Sequence, residues 1–232
     1  SIGSFDTKKI YSGISLSNKR LLSNTKIYYS KSVNNYSYKD TTDKENPNKQ
    51  VHHANYMAQG IMQEFGFLIN SYQKINVRAW YNYLSRNIPS VTGIISKQHQ
   101  IDENLKLNAD WNYNKKNLRN TIRLGYFHDH LNYSDSTDNI SNSSITTIPK
   151  ITSNSLIKTL IAETDNSFYY KKHTFNIGIN YTAYQASLFS QDFKKDTTYC
   201  YHLNKLAVFA AYKLSALNSR LHYNLVIRKE ST

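Results

Sequence analysis

Between Leu105 and Tyr133 the chain reads LKLNADWNYNKKNLRNTIRLGYFHDHLNY, and its apolar residues fall on every second position. Leu105, Leu107, Ala109, Trp111 and Tyr113 share one parity, with Lys106, Asn108, Asp110, Asn112 and Asn114 between them. After Lys115-Lys116 the alternation resumes as Ile122, Leu124 and Tyr126, separated by Thr121, Arg123 and Gly125. A period of two puts the two sets on opposite faces of a strand, whereas a helix would scatter them. A two-residue turn at Lys115-Lys116 predicts a hairpin in which Ala109 faces Ile122, Leu107 faces Leu124 and Leu105 faces Tyr126. Asn108 then meets Arg123 and Asn112 meets Arg119 on the other side. One apolar and one strongly polar face over that length is what the wall of a transmembrane barrel requires.

The pattern recurs along the chain. Phe5 to Ser17 and Arg20 to Tyr38 read as strands joined near Asn18-Lys19. Ile61, Phe65, Phe67 and Ile69 match Ile75, Val77, Ala79, Tyr81 and Tyr83, and a turn at Ser71-Tyr72-Gln73 sets Ile69 against Ile75, Phe67 against Val77 and Phe65 against Ala79. Asn154 to Tyr170 and His173 to Phe189 form a hairpin about Lys171-Lys172, with a bulge expected at Asn166, which would otherwise fall on the apolar face. A turn at Leu217-Asn218 sets Leu214 against Leu221, Tyr212 against Tyr223, Ala210 against Leu225 and Val208 against Ile227, with Lys213 meeting His222 and Ala207 meeting Arg228. The polar stretches Lys39 to His53, Asn87 to Gln98, Asp135 to Ser153 and Ser190 to Tyr199 read as loops. Short connections of two or three residues thus alternate with long ones of about ten to twenty, as in outer-membrane barrels. A soluble sandwich has no reason to keep its two ends so unequal. The expected fold is all-β: an antiparallel transmembrane β-barrel segment of about ten strands.

Composition narrows the alternatives. No run approaches 18 apolar residues, which excludes a membrane helix. Twenty of the 232 residues are Tyr, against 9 Phe and 2 Trp, which suits aromatic girdles at two interfaces. The formal charge of +13 comes from lysines scattered over turns and loops, among them Lys8-Lys9, Lys115-Lys116, Lys171-Lys172 and Lys194-Lys195. Without a basic stripe or motif this does not indicate nucleic acid. Cys200 is the only cysteine, so no internal disulfide forms. The opening SIGSFDTKK carries neither an initiator Met nor an apolar signal core, which implies processing or an internal piece.

GSFDTKKI near the start, AWYNYLSRNIP (Ala79 to Pro89), RLGYFHDHLNYSD (Arg123 to Asp135) and the final YNLVIRKE (Tyr223 to Glu230) resemble TonB-dependent outer-membrane receptors, most nearly the vitamin B12 receptor-like members of Bacteroidetes-type bacteria. Asp6 stands where that family usually has Gly. The resemblance implies a partial barrel over residues 1–232 with neither plug nor TonB box. Its short turns would be periplasmic and its long loops extracellular. It implies residence in the cell outer membrane and active uptake of cobalamin or an iron-siderophore. The partners it implies are outer-membrane lipid, the nutrient ligand and the TonB complex, reached through the absent plug domain; it implies no cofactor and no enzyme activity.

The expected ligand-binding residues are those of the extracellular loops: Arg86 and Asn87, where the AWYNYLSRNIP strand ends, and Asp135 and Asp138. Asp40, Asp43 and Glu45 could hold calcium through oxygen ligands. His128 and His130 share a strand face, but no third and fourth metal ligand is identifiable. The alternative is a complete ten-stranded barrel carrying an omptin-like hydrolase, whose Asp/His pair would have to be Asp129 with His130. No phosphate-binding glycine loop or nucleophile elbow is present.

Overall fold

Strict alternation over lengths of ten residues and more leaves these segments one way to bury hydrogen-bonding backbone, which is to pair with their neighbours. In the computed structural model they do so in chain order. It describes residues 2–41, 44–89, 97–141, 144–192, 195–216 and 221–232, with the backbone alone at 2, 137–141, 144–150, 192, 195 and 216. The strands are β1 (Ile2–Gly3), β2 (Thr7–Ser17), β3 (Leu21–Ser32), β4 (Ser37–Lys39), β5 (Asn48–Gln50), β6 (Tyr56–Asn70), β7 (Gln73–Ile88), β8 (Lys97–Lys115), β9 (Leu118–Ser141), β10 (Ser144–Tyr170), β11 (His173–Asp192), β12 (Lys195–Ala216) and β13 (Leu221–Ser231). All but β4 and β5 form one antiparallel meander of eleven strands, of which β1 is a two-residue stub. β4 and β5 make a small separate hairpin between β3 and β6. Among the described residues there is no helix, and the sheet does not close: β13 pairs only with β12.

Following the register across the sheet sorts the side chains into two faces. Leu16, Ile27, Ile61, Phe65, Val77, Leu107, Ala109, Ile122, Leu124, Ala162, Ile177, Val208 and Ile227 stand on one. That face is exposed, with Leu124 at 52% and Ile177 at 56%. Thr121 (5%) and Ala207 (6%) are buried and lie on the other, polar face, as expected when a sheet curls around that side. The apolar band runs from Tyr113 to Leu105 on β8 and from Phe168 to Leu160 on β10, nine residues each, within reach of the 9–11 that a tilted strand needs to cross a bilayer. Its short-turn end is aromatic: Trp111 stacks on Tyr113 at 6.1 Å, and Tyr212 packs on Phe175 at 5.1 Å and Tyr223 at 6.4 Å.

The expected faces are all found, but three registers are offset by two residues. The turn after β8 is Lys116-Asn117, so Ala109 pairs with Leu124, Leu107 with Tyr126 and Leu105 with His128; Asn108 meets Gly125, while Asp110 and Asn114 meet Arg123 and Arg119. Lys116 takes the left-handed region (φ 46°), which places it at the first turn position rather than the second. In the β6–β7 hairpin the turn is Ser71-Tyr72, closed by the Asn70 Oδ1 accepting from the Tyr72 N–H at 2.9 Å, and Ile69 bulges out. Phe67 therefore pairs with Ile75, Phe65 with Val77 and Gln63 with Ala79. In the last hairpin Leu214 pairs with Tyr223, Tyr212 with Leu225, Ala210 with Ile227 and Val208 with Lys229, while Lys213 meets Asn224 and Phe209 meets Arg228. The turn expected at Leu217-Asn218 lies outside the described residues.

The Lys171-Lys172 turn is as expected, with Lys171 at φ 53°. The bulge expected at Asn166 is absent. Asn166 stays in register on the apolar face because Asn120 on β9 donates to its Oδ1 and its own Nδ2 donates to Thr164 Oγ1 at 3.3 Å, although Asn120 Oδ1 is left buried without a partner among the described residues. A bulge is found instead between Pro149 and Ile151, where proline cannot donate to the ladder.

The long loops are also corrected. Asp135 to Ser153 is largely strand, since β9 and β10 stay paired out to Ser141 and Ser144. Ser190 to Tyr199 likewise continues the β11–β12 pairing out to Asp192 and Lys195, β7 and β8 extend to Ile88 and from Lys97, and β4–β5 occupies part of Lys39 to His53. Once past the apolar band both faces are polar, so pairing persists there without an alternation to announce it.

Candidate functional site

On the polar face, polar side chains at matching heights form a ladder over eight strands, from β2 to β11, and it ends where Ala207 and Phe209 of β12 take the same face. Ser15 Oγ donates to Asn24 Oδ1 (3.1 Å), and Asn24 Nδ2 donates to Glu64 Oε2 (3.0 Å). Arg78 bridges two carboxylates, donating from Nε to Glu64 Oε1 (3.0 Å) and from Nη1 to Asp110 Oδ1 (3.2 Å). Asn76 and Asn112 each donate to Asp110 Oδ2 at 2.6 Å, and Thr121 Oγ1 donates to Asn112 Oδ1 at 3.1 Å. Two positions further along β9, Arg123 Nη1 donates to Glu163 Oε2 (3.1 Å) and Asp165 Oδ2 (2.8 Å). Asn180 donates to Glu163 Oε1 and receives from Thr182 Oγ1 at 3.3 Å. Every carboxylate in this chain of contacts is held by amide or guanidinium donors, so none is poised as a base. The ladder is a fixed polar lining.

A second polar cluster lies on the same face at the outer ends of the strands. Arg86 Nη2 donates to Gln100 Oε1 (3.0 Å), and Gln100 Nε2 donates to Asp102 Oδ1 (2.9 Å) and Oδ2 (3.0 Å). Gln100 pairs across the sheet with Tyr133, and Asp135 stands two residues beyond Tyr133 on the same face. Asp135 Oδ1 is buried with no hydrogen-bond partner among the described residues. Burial, and secondarily the Asp135 charge, push the Tyr133 phenol above its usual range.

Of the residues expected to bind ligand, the fold brings Arg86 and Asp135 to one face, with β8 between them. Asn87 points to the opposite face and donates to Asn55 Oδ1 at 2.7 Å. Asp138 pairs with Thr147, so it sits on a strand rather than in a loop; its side chain is outside the described residues. Gln100, Asp102 and Tyr133 join the cluster unforeseen. They stand past the apolar band of β8 and β9, where both faces are polar and no alternation shows which residues share one. Of the calcium candidates, Asp40 is buried and Glu45 exposed, and Asp43 is outside the described residues. Among the described residues no three His, Cys, Asp or Glu side chains gather as metal ligands.

The Asp129–His130 pair does not form. Consecutive residues of one strand point to opposite faces. His130 is instead held between Glu103 Oε2 (3.2 Å from Nδ1) and Asn154 Oδ1 (3.1 Å from Nε2) on the apolar-face side, while Asp129 turns to the polar face.

Neither a known protein family nor a curated protein matches the sequence. The fold does match solved structures. The RagAB peptide transporter aligns over 97% of this chain and 32% of its own, at 11% identity and a TM-score of 0.66. FpvA of P. aeruginosa, bound to a heterologous pyoverdine, aligns over 99% and 36% at 10% identity and a TM-score of 0.66. The unliganded ferric citrate transporter FecA aligns over 97% and 35% at 9% identity and a TM-score of 0.59. These neighbours are TonB-dependent outer-membrane receptors and transporters rather than enzymes, and the chain spans about a third of the length of each of the three. At such identities the likeness is one of fold.

Proposed function

We propose that this chain is part of the barrel wall of a TonB-dependent outer-membrane receptor that takes up a large, scarce nutrient, cobalamin or an iron-siderophore being the candidates. The observation that carries the reading is the division of faces: ten long strands expose apolar side chains on one side, and eight of them lock a polar ladder on the other. Lipid satisfies the first and a water-filled or protein-filled lumen the second. The free edges at β2 and β13 would leave backbone groups unpaired in hydrocarbon, so further strands are required to close the wall.

The Lys116-Asn117 and Lys171-Lys172 turns lie at the periplasmic rim in this reading, and the projecting β7–β8, β9–β10 and β11–β12 ends lie outside. Arg86 and Asp135, with Gln100 and Tyr133 between them, belong to the outer ligand-capturing surface, with Asp138 beyond them on β9, while Asn87 on the opposite face stays outside it. The TonB complex acts through a plug domain outside this stretch. The full-length protein in outer-membrane vesicles tests the reading with radiolabelled cobalamin and a labelled ferric siderophore. Replacing Arg86 by Ala and Asp135 by Asn is expected to weaken binding of one ligand about tenfold, the loss of roughly one charged hydrogen bond, with membrane insertion unchanged. Unaltered binding and uptake of both ligands would reduce the segment to scaffold.

A further inference from the structure

Just above the apolar band, one row of the exposed apolar face is polar. The register places His128 on β9, Lys158 on β10, Gln185 on β11 and His202 on β12 side by side. Adjacent strands lie about 4.8 Å apart, so the row extends for roughly 14 Å. The row beneath it is Tyr126, Leu160, Ala183 and Asn204, and the face continues downward through Ala162, Tyr181 and Leu206. The two rows enclose an open cleft of about 270 Å³ lined by Tyr126, Lys158, Leu160, Ala183, Gln185 and His202.

Three features decide what fits there. None of His128, Lys158, Gln185 and His202 forms a hydrogen bond or ion pair with another described residue, so the three that line the cleft, Lys158, Gln185 and His202, offer donors with no internal partner. The nearest carboxylate on this face, Glu103, is already held by His130. A lysine beside an apolar surface without a counter-charge is costly unless an anion comes to it. Finally, the cleft is smaller than the roughly 300–1,000 Å³ of sites that enclose a drug-sized ligand, and its floor is open along an apolar groove. Its dimensions and chemistry suit a phosphate attached to an acyl chain rather than a whole nutrient molecule.

We propose that this row is a binding site for the phosphate of a membrane lipid. Lys158 supplies the charge, Gln185 and His202 donate hydrogen bonds, and the acyl chain lies over Leu160, Ala183 and Leu206. The site rests on the reading of the apolar face as lipid-facing. It fixes the height at which the wall sits in the bilayer, because the row marks the boundary where headgroup meets hydrocarbon. A lysine that merely extends its amine into headgroup water would show no preference among lipids.

The full-length protein reconstituted in phosphatidylcholine vesicles, with spin-labelled phosphatidic acid or spin-labelled phosphatidylcholine as probe, separates these cases. The fraction of motionally restricted label is expected to be several-fold greater for phosphatidic acid. Lys158→Gln should bring the two labels to equality and His202→Gln should lower the preference in part, both leaving the number of restricted phosphatidylcholine molecules unchanged. Equal restriction of the two lipids by the unaltered protein overturns the site while leaving the lipid-facing wall intact. No restricted lipid of either kind overturns the wall reading and the site with it. Loss of the preference in excess inorganic phosphate reassigns the row to a free anion and overturns the lipid assignment.

Discussion

Arg78 reaches past its direct cross-strand partner Asn108 to place Nη1 3.2 Å from Asp110, the residue diagonally opposite on β8. The same guanidinium holds Glu64 on β6, so one arginine separates two carboxylates that would otherwise face each other across β7. Arg78→Ala is expected to lower stability by about 1 kcal/mol, the modest value reflecting a half-exposed bridge. The midpoint of urea unfolding measures it. Adding Asp110→Asn should cost less than in the unaltered protein, since the two residues share one interaction.

Gly60 on β6 lies beneath the ring of Tyr28, which crosses over it to donate to Asn82 on β7. A Cβ at Gly60 would stand 2.4 Å from Tyr28 Cε1 and 2.8 Å from the Tyr81 carbonyl oxygen, and the backbone oxygen cannot move aside cheaply. Gly60→Ala should destabilise by about 1–3 kcal/mol, as overpacking does. Gly13→Ala meets its neighbours at an ordinary 3.5 Å and should stay within about 0.5 kcal/mol of neutral in the same unfolding experiment.

The two faces should respond oppositely to a cation. Leu124, in the middle of the apolar band between Ala109 and Ala162, should tolerate Lys at a cost of roughly 2–4 kcal/mol in folding from urea into phosphatidylcholine vesicles. Asn108→Lys on the polar face, one strand away, should cost a small fraction of that. Equal costs would mean that the apolar face does not meet lipid.

Tyr133 provides a pH signature. Its phenol is raised by burial and by Asp135, so the folded protein keeps the proton that the unfolded chain releases near pH 10. Stability from this group is therefore complete below the unfolded value and declines as pH rises through the folded one. Tyr133→Phe should flatten the alkaline decline of the unfolding midpoint. The 295 nm difference titration between the two proteins should show ionisation above the ordinary tyrosine range.

The faces were readable from the sequence and the registers were not, for one physical reason. Moving a hairpin by two residues leaves every side chain on its own face, so hydrophobic pattern cannot tell Lys115-Lys116 from Lys116-Asn117. The choice is made by which residue takes the left-handed conformation, and in the β6–β7 hairpin by a bulge at Ile69 that an apolar residue does not advertise. At Lys171-Lys172, where the turn was placed correctly, Tyr170 and His173 do pair directly. Asn166 was misread because a lone amide in an apolar row suggests a bulge, while its partner Asn120 lies 46 residues away in the chain. Arg86 and Asp135 were found because they are charged. Gln100, Asp102 and Tyr133 give no signal of standing with them, because they lie past the apolar band, where both faces are polar and no pattern shows which residues share one.

The most direct test of the central claim is the accessibility of nitroxide labels along two strands of the full-length protein in lipid, in a Cys200→Ser background. Labels replace Thr121, Ile122, Arg123 and Leu124 on β9, and Asn176, Ile177, Ile179 and Asn180 on β11. The account predicts that residues 122, 124, 177 and 179 collide freely with dissolved oxygen and little with a water-soluble nickel chelate, and that residues 121, 123, 176 and 180 show the reverse. Accessibility to nickel on both faces, or no alternation between them, would contradict a barrel wall with lipid on one side.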